Sequence, residues 1–169
     1  MLRLILITAS IFLSAWIAGC GGGSSNSFSS GAARVEIDAD PRKVDVGDRV
    51  EVNLNIEDVD EAGVIIKIRF PNELTYIEDS SIFYVDDEEL ERSPDSIHTS
   101  NDNYFLIYRI SEEDNGENNR STLVFDLRAD DSKKEANLAV DPDINSNTPF
   151  DPDNPEFESE IEVEIEIEG

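Results

Sequence analysis

The chain has 169 residues, 39 of them Asp or Glu against 13 Lys or Arg, and a formal net charge of −26. That excess repels phosphate backbones, so the counterion-release contribution that drives nucleic-acid binding is closed to it. With 1 Cys and 1 His, an internal disulfide and a Cys-based zinc site are excluded too.

Arg3 is the only charge in the first 33 residues. It precedes an apolar stretch over 4–18, which is short for a bilayer span and suited to the h-region of a signal peptide. The stretch ends in Ile17, Ala18, Gly19 and Cys20, and this resembles the lipobox of bacterial lipoproteins. The resemblance implies cleavage after residue 19, with Trp16 removed and Cys20 lipidated as the new first residue. Several acyl chains anchor stably where one binds marginally, so the expected location is a membrane surface. Gly21 at the following position implies outer-membrane or cell-surface sorting by the same resemblance. Loss of Arg3 leaves 12 basic residues, 4 of the chain's basic residues being Lys, against the same 39 acidic ones, a net charge of −27. Such a surface fits a protein of salty habitats or a calcium-dependent exoprotein.

Residues 20–33 hold the lipidation site and GGGSSNSFSSGAA, which buries little and reads as a flexible tether with a reach on the order of 20 Å. From residue 34 the dominant period is two. Val50, Val52, Leu54 and Ile56 alternate with Glu51, Asn53, Asn55 and Glu57, the pattern of a half-buried strand. Leu123, Phe125 and Leu127 repeat it. So do Ile161, Val163, Ile165 and Ile167 between Glu160, Glu162, Glu164, Glu166 and Glu168. Further strands are predicted at 35–39, 63–70, 82–85, 104–110 and 136–140. Short strands separated by Asp, Asn, Gly and Pro clusters predict an all-β antiparallel sandwich over 34–169, jelly-roll or Ig-like, with about eight to nine strands.

Val44, Val46, Gly47 and Asp48, the strand after them, the run over 63–70, and Pro71, Asn72, Glu73, Leu74, Thr75 and Tyr76 are similar to the opening of cohesin domains and related bacterial surface modules. The segment 121–129 is similar to a later strand of that family. The resemblance implies a non-catalytic binding sandwich. The sequence departs from the family by an acidic insert at 86–92, and dockerin binding is carried over to no residue.

The search for chemistry is mostly negative: there is no G-x-S-x-G elbow, no H-E-x-x-H and no phosphate-binding Gly-rich loop. His98 sits in a loop-like, solvated context, and no carboxylate pair stands out among so many. Calcium is the sharper candidate. Asp141, Asp143, Asn145 and Asn147 fall at every second position, and Asp151 and Asp153 repeat the Asp-Pro-Asp triplet, giving dense hard oxygen ligands. An EF-hand counted from Asp141 fails, because Ser146 and Pro152 stand where Gly and Glu belong. Glu57, Asp58, Asp60 and Glu61 form a second acidic turn. Of the rings a carbohydrate could stack on, Tyr84, Tyr104 and Tyr108 remain, the last two sharing strand parity with Leu106 and Ile110 and so suited to the core. The sequence therefore predicts a lipid-anchored surface module that binds a protein or a polysaccharide without catalysis. A structural envelope lipoprotein without a ligand and a glycan-active enzyme are the rival readings.

Overall fold

A computed structural model describes residues 27–29, 33–100, 102–143 and 161–169. The signal segment, Cys20, Asn145, Asn147, Asp151 and Asp153 lie outside them. The described chain is an all-β sandwich of two sheets. The first sheet runs, in spatial order, through β1 (Ser27–Ser29), β2 (Arg34–Asp40), β4 (Arg49–Glu57), β11 (Arg120–Ala129), β7 (Ile82–Val85) and β8 (Glu88–Glu91), with β6 (Leu74–Tyr76) also paired to β11. The second runs through β3 (Lys43–Asp45), β13 (Ile161–Glu168), β12 (Lys133–Asp143), β5 (Val64–Pro71), β10 (Asn103–Ile110) and β9 (Ser96–Ser100). Among the described residues every pairing is antiparallel except that of β3 with β13, which is parallel.

Alternation builds both inner faces. Val50, Val52, Leu54 and Ile56 are fully buried, and across β11 they meet Leu127, Phe125, Leu123 and Ser121 in register. Ile161, Val163, Ile165 and Ile167 enter the core from β13, while Glu162, Glu164 and Glu168 stay exposed. A single apolar cluster joins these residues to Ile66, Ile68, Phe70, Leu106 and Tyr108 of the facing sheet. At about 1.5–3 kcal/mol per buried aliphatic or aromatic side chain, this burial is the main stabilising contribution.

β5 and β10 are buried on both faces, which is why 64–68 reads as a near-continuous apolar run. Ile65, Phe105 and Ile107 form a second buried cluster on the face turned away from the core. On that same face the Lys67 ammonium lies 3.1 Å from the Asp141 carboxylate, the two side chains being 6% and 13% exposed. A buried lysine needs such a partner, because an uncompensated charge there is strongly destabilising.

The layers are also joined by a polar chain. The hydroxyls of Tyr76 and Tyr108 each lie 2.8 Å from that of Ser81, so the β6–β7 connection is tied to β10. Burial drives the Tyr108 phenol far above its ordinary pKa, the Ser81 hydrogen bond opposing only in part, and the ring stays protonated.

Five strands depart from the expectation drawn from alternation: β1, β3, β6, β8 and β9 are not predicted by it, and among the described residues the count is thirteen rather than about eight to nine. Each has only three to five residues, too few to show an alternation. β1 places part of the expected tether in the first sheet, where Phe28 pairs opposite Val35. Ala33, also assigned to the tether, is buried in the core. His98 is not in a loop: it lies on β9 opposite Phe105, half-buried, with Nε2 3.1 Å from the Ser96 hydroxyl.

Candidate functional site

The expected acidic insert at 86–92 is a β-hairpin. Val85 pairs with Glu88, leaving Asp86 and Asp87 as a two-residue turn. Both have positive φ, 47° and 66°, as a type I′ turn requires, and Asp tolerates that conformation better than most residues. The Asp86 carboxylate accepts the Glu117 N–H at 2.8 Å and the Asn118 side-chain amide at 3.2 Å, tying the hairpin tip to the turn before β11. Gly116, at φ 72° and ψ −177°, passes so close that a Cβ there would strike that carboxylate and the Val85 side chain.

That turn is itself anchored in the core. Asn115 is fully buried and donates to the Asn119 side chain at 2.8 Å, while the Ser121 hydroxyl donates to Asn115 Oδ1. Asn119 accepts from the Val59 N–H and donates to the Val59 carbonyl, both at 2.9 Å, an amide-to-backbone pairing that clamps the β4–β5 connection. The sequence signals for these asparagines were absent, since Asn in a polar stretch reads as ordinary turn composition.

Among the described residues β8 ends the first sheet and β9 ends the second, and residues 92–95 alone carry the chain between them. Both terminal strands therefore lie on one side of the sandwich. Leu90 stands opposite the buried Phe83, and Ile97 opposite the buried Leu106. Each thus belongs to the face that packs the core elsewhere, yet Leu90 is 45% and Ile97 48% exposed. Beside Leu90 opens a cleft of about 450 Å³, floored by Phe83 and Val85 and rimmed by Glu88, Glu113 and Asp114. Arg92 crosses it, 3.5 Å from Asp114 and donating to the Arg109 carbonyl at 2.5 Å. Burial raises the Asp114 carboxyl, but the Ser111 N–H and hydroxyl together with Arg92 more than offset this and hold it below its ordinary value.

The hydrogen-bond pattern of β8 follows from its turn. The pair flanking a two-residue turn is bonded, and bonding alternates along the ladder. Arg92 continues that alternation by donating to the Ser81 carbonyl at 3.1 Å. Glu88 and Leu90 therefore direct their backbone groups to β7. Glu89 and Glu91 direct theirs outward, at the end of the sheet.

Of the calcium candidates, Asp141 lies on β12 against Lys67, and Asp143 ends that strand opposite Ile65. Asp141 and Asp143 share one face by register. Around the second acidic turn, Glu57 pairs with Arg120 at 2.8 Å and Arg34 at 3.6 Å instead of joining its neighbours. Among the described residues no three His, Cys, Asp or Glu side chains converge as a metal site would require. The tyrosines divide as parity predicts: Tyr108 is fully buried, Tyr104 stacks on Phe70 at 5.7 Å, and Tyr84 is exposed on the outer face of the hairpin.

No family model and no curated protein matches the chain. Solved structures are similar to it. A backbone pilin of Streptococcus pyogenes superimposes with a TM-score of 0.50 at 10% identity, over 80% of this chain and 35% of that one. The N-terminal domain of a Streptococcus gordonii adhesin gives 0.49 at 12% identity, over 79% and 32%. A cohesin module from a Clostridium perfringens family 33 glycoside hydrolase gives 0.37 at 15% identity, over 79% and 94%. The chain spans about a third of the length of the pilin and adhesin chains it matches.

Proposed function

We propose that the chain is a lipid-anchored, cell-surface binding module without catalytic activity, held off a membrane by Cys20 and its Gly/Ser tether. The observation that supports it best is the open side of the sandwich. There, one terminal strand from each sheet exposes an apolar residue on the face that is dry elsewhere. An apolar residue exposed on a free strand edge is a feature that monomers tend to manage and partners use. With Tyr84 the single exposed ring among the described residues, the surface suits a protein better than a polysaccharide, whose recognition rests on aromatic platforms.

Anchoring and binding are tested separately. Cys20→Ser releases the protein from the membrane fraction or leaves it unprocessed, and metabolic palmitate labelling disappears. Labelling that survives this substitution overturns the anchor. An envelope pull-down with the C20S chain retains a specific protein, and failure to retain protein or glycan favours a purely structural lipoprotein.

A further inference from the structure

We propose that β8 is completed by an extended segment of another protein that carries a basic, an apolar and a second basic residue in succession. The proposal rests on the binding reading above and names the partner chemistry. Glu89 and Glu91 offer their backbone N–H and carbonyl groups to an added strand, because the two-residue turn commits those of Glu88 and Leu90 to β7. A strand laid beside β8 places successive side chains on opposite faces. Those next to Glu89 and Glu91 point to the outer face, and the one between them points inward beside Leu90. The inward position meets the cleft floored by Phe83 and Val85 and favours an apolar side chain. The outward positions each face a glutamate, Glu89 or Glu91, so Lys or Arg fits there.

The charge pattern also selects against the occupant that is always at hand. A second copy adding antiparallel through its own β8 would set Glu89 opposite Glu91 twice, and like charges directly opposed are destabilising. An anionic membrane or a nucleic acid is repelled by the same residues.

The test uses the full chain and a blocked heptapeptide with Lys-Val-Arg at its centre and Thr at its flanks. Hydrogen exchange read by NMR should slow at the Glu89 and Glu91 amides by about tenfold or more at saturating peptide. Glu89→Pro removes an outward N–H while sparing the bonds to β7, as Pro on a free edge does, and should weaken binding by about tenfold. A Glu-Val-Glu peptide should not bind. The double variant E89K/E91K should exchange the preference, taking the acidic peptide and refusing the basic one, which keeps the test decisive if the proline variant unfolds. Protection that develops elsewhere, or an unchanged preference in the charge-reversed variant, overturns the proposal. So does a dimer of this chain that Glu89→Pro dissolves. If Glu89 and Glu91 stay unprotected while the pull-down still retains an envelope protein, strand addition fails and the binding reading stands on another face. If nothing is retained, both fall.

Discussion

Ile165→Glu sets the burial of the last strand against its charge. Ile165 is fully buried on the core face of β13, opposite the equally buried Ala136. Losing the aliphatic group costs about 1.5–3 kcal/mol. A carboxyl kept inside at pH 7 must also be neutral. Starting from an ordinary value near 4.3, protonation at about 1.36 kcal/mol per pH unit costs roughly 3.7 kcal/mol. A neutral carboxyl without a partner adds about 1–3 kcal/mol. The total, on the order of 6–10 kcal/mol, rivals the whole stability of a typical domain. Glu164→Ile changes an exposed residue opposite Asn137 and should shift stability by no more than about 0.5 kcal/mol. The sign with pH is fixed by linkage. The buried carboxyl of I165E has its folded pKa raised, so the penalty is present above the ordinary value and fades as pH falls toward it, by about 1.4 kcal/mol per unit. Urea unfolding of the wild type and both variants at pH 7 and pH 5 measures this. Equal costs for the two substitutions, or an I165E deficit that does not shrink between those pH values, would show that the strand is not held by a dry inner face.

Gly116→Ala should cost about 1–3 kcal/mol, because φ 72° with ψ −177° is a conformation open essentially to glycine and the new methyl meets the Asp86 carboxylate; a melting temperature equal to the wild type's would refute the close approach. Asp114→Asn should destabilise the chain near neutral pH. Because the Asp114 carboxyl is held below 3.8, its contribution is complete above that value and is lost as pH falls through the lower folded pKa, so the two proteins should converge in acid unfolding curves below 3.8. If the loop over 141–153 holds calcium, the ion should stabilise the chain by about 1.4 kcal/mol at about tenfold above Kd, read as a higher melting temperature, with magnesium doing less, and Asp143→Asn with Asp153→Asn should abolish the difference; an unchanged response moves the effect elsewhere on the acidic surface.

Much of this molecule was legible before its structure. Alternation in 50–56, 123–127 and 161–167 located three core strands and the face each one buries, because a half-buried strand imposes a period of two on its own sequence. The core position of Tyr108 followed from the same parity. Polar networks left no such mark. Ser81 joins two tyrosines that lie 32 residues apart in the chain, and Asn119 clamps Val59 from 60 residues away. Either residue, seen in its own stretch, is ordinary turn composition. Asp141 shows the converse. As one of several acidic residues at alternate positions it read as a cation ligand, yet the strand register places it against Lys67, an ammonium 74 positions earlier in the chain.

Local order in the chain determined the strands, their faces and the acidic charge, since each of these is written in neighbouring residues. Only the tertiary structure decided which strands end the sheets. The residues 86–92 read as an insert of carboxylates, and folding turns them into a terminal hairpin whose Leu90 comes to the surface on the same side as Ile97. Whether an apolar residue is covered depends on which strands stand beside it. That neighbour is chosen by pairings between distant segments, with free energies that no short window of sequence contains.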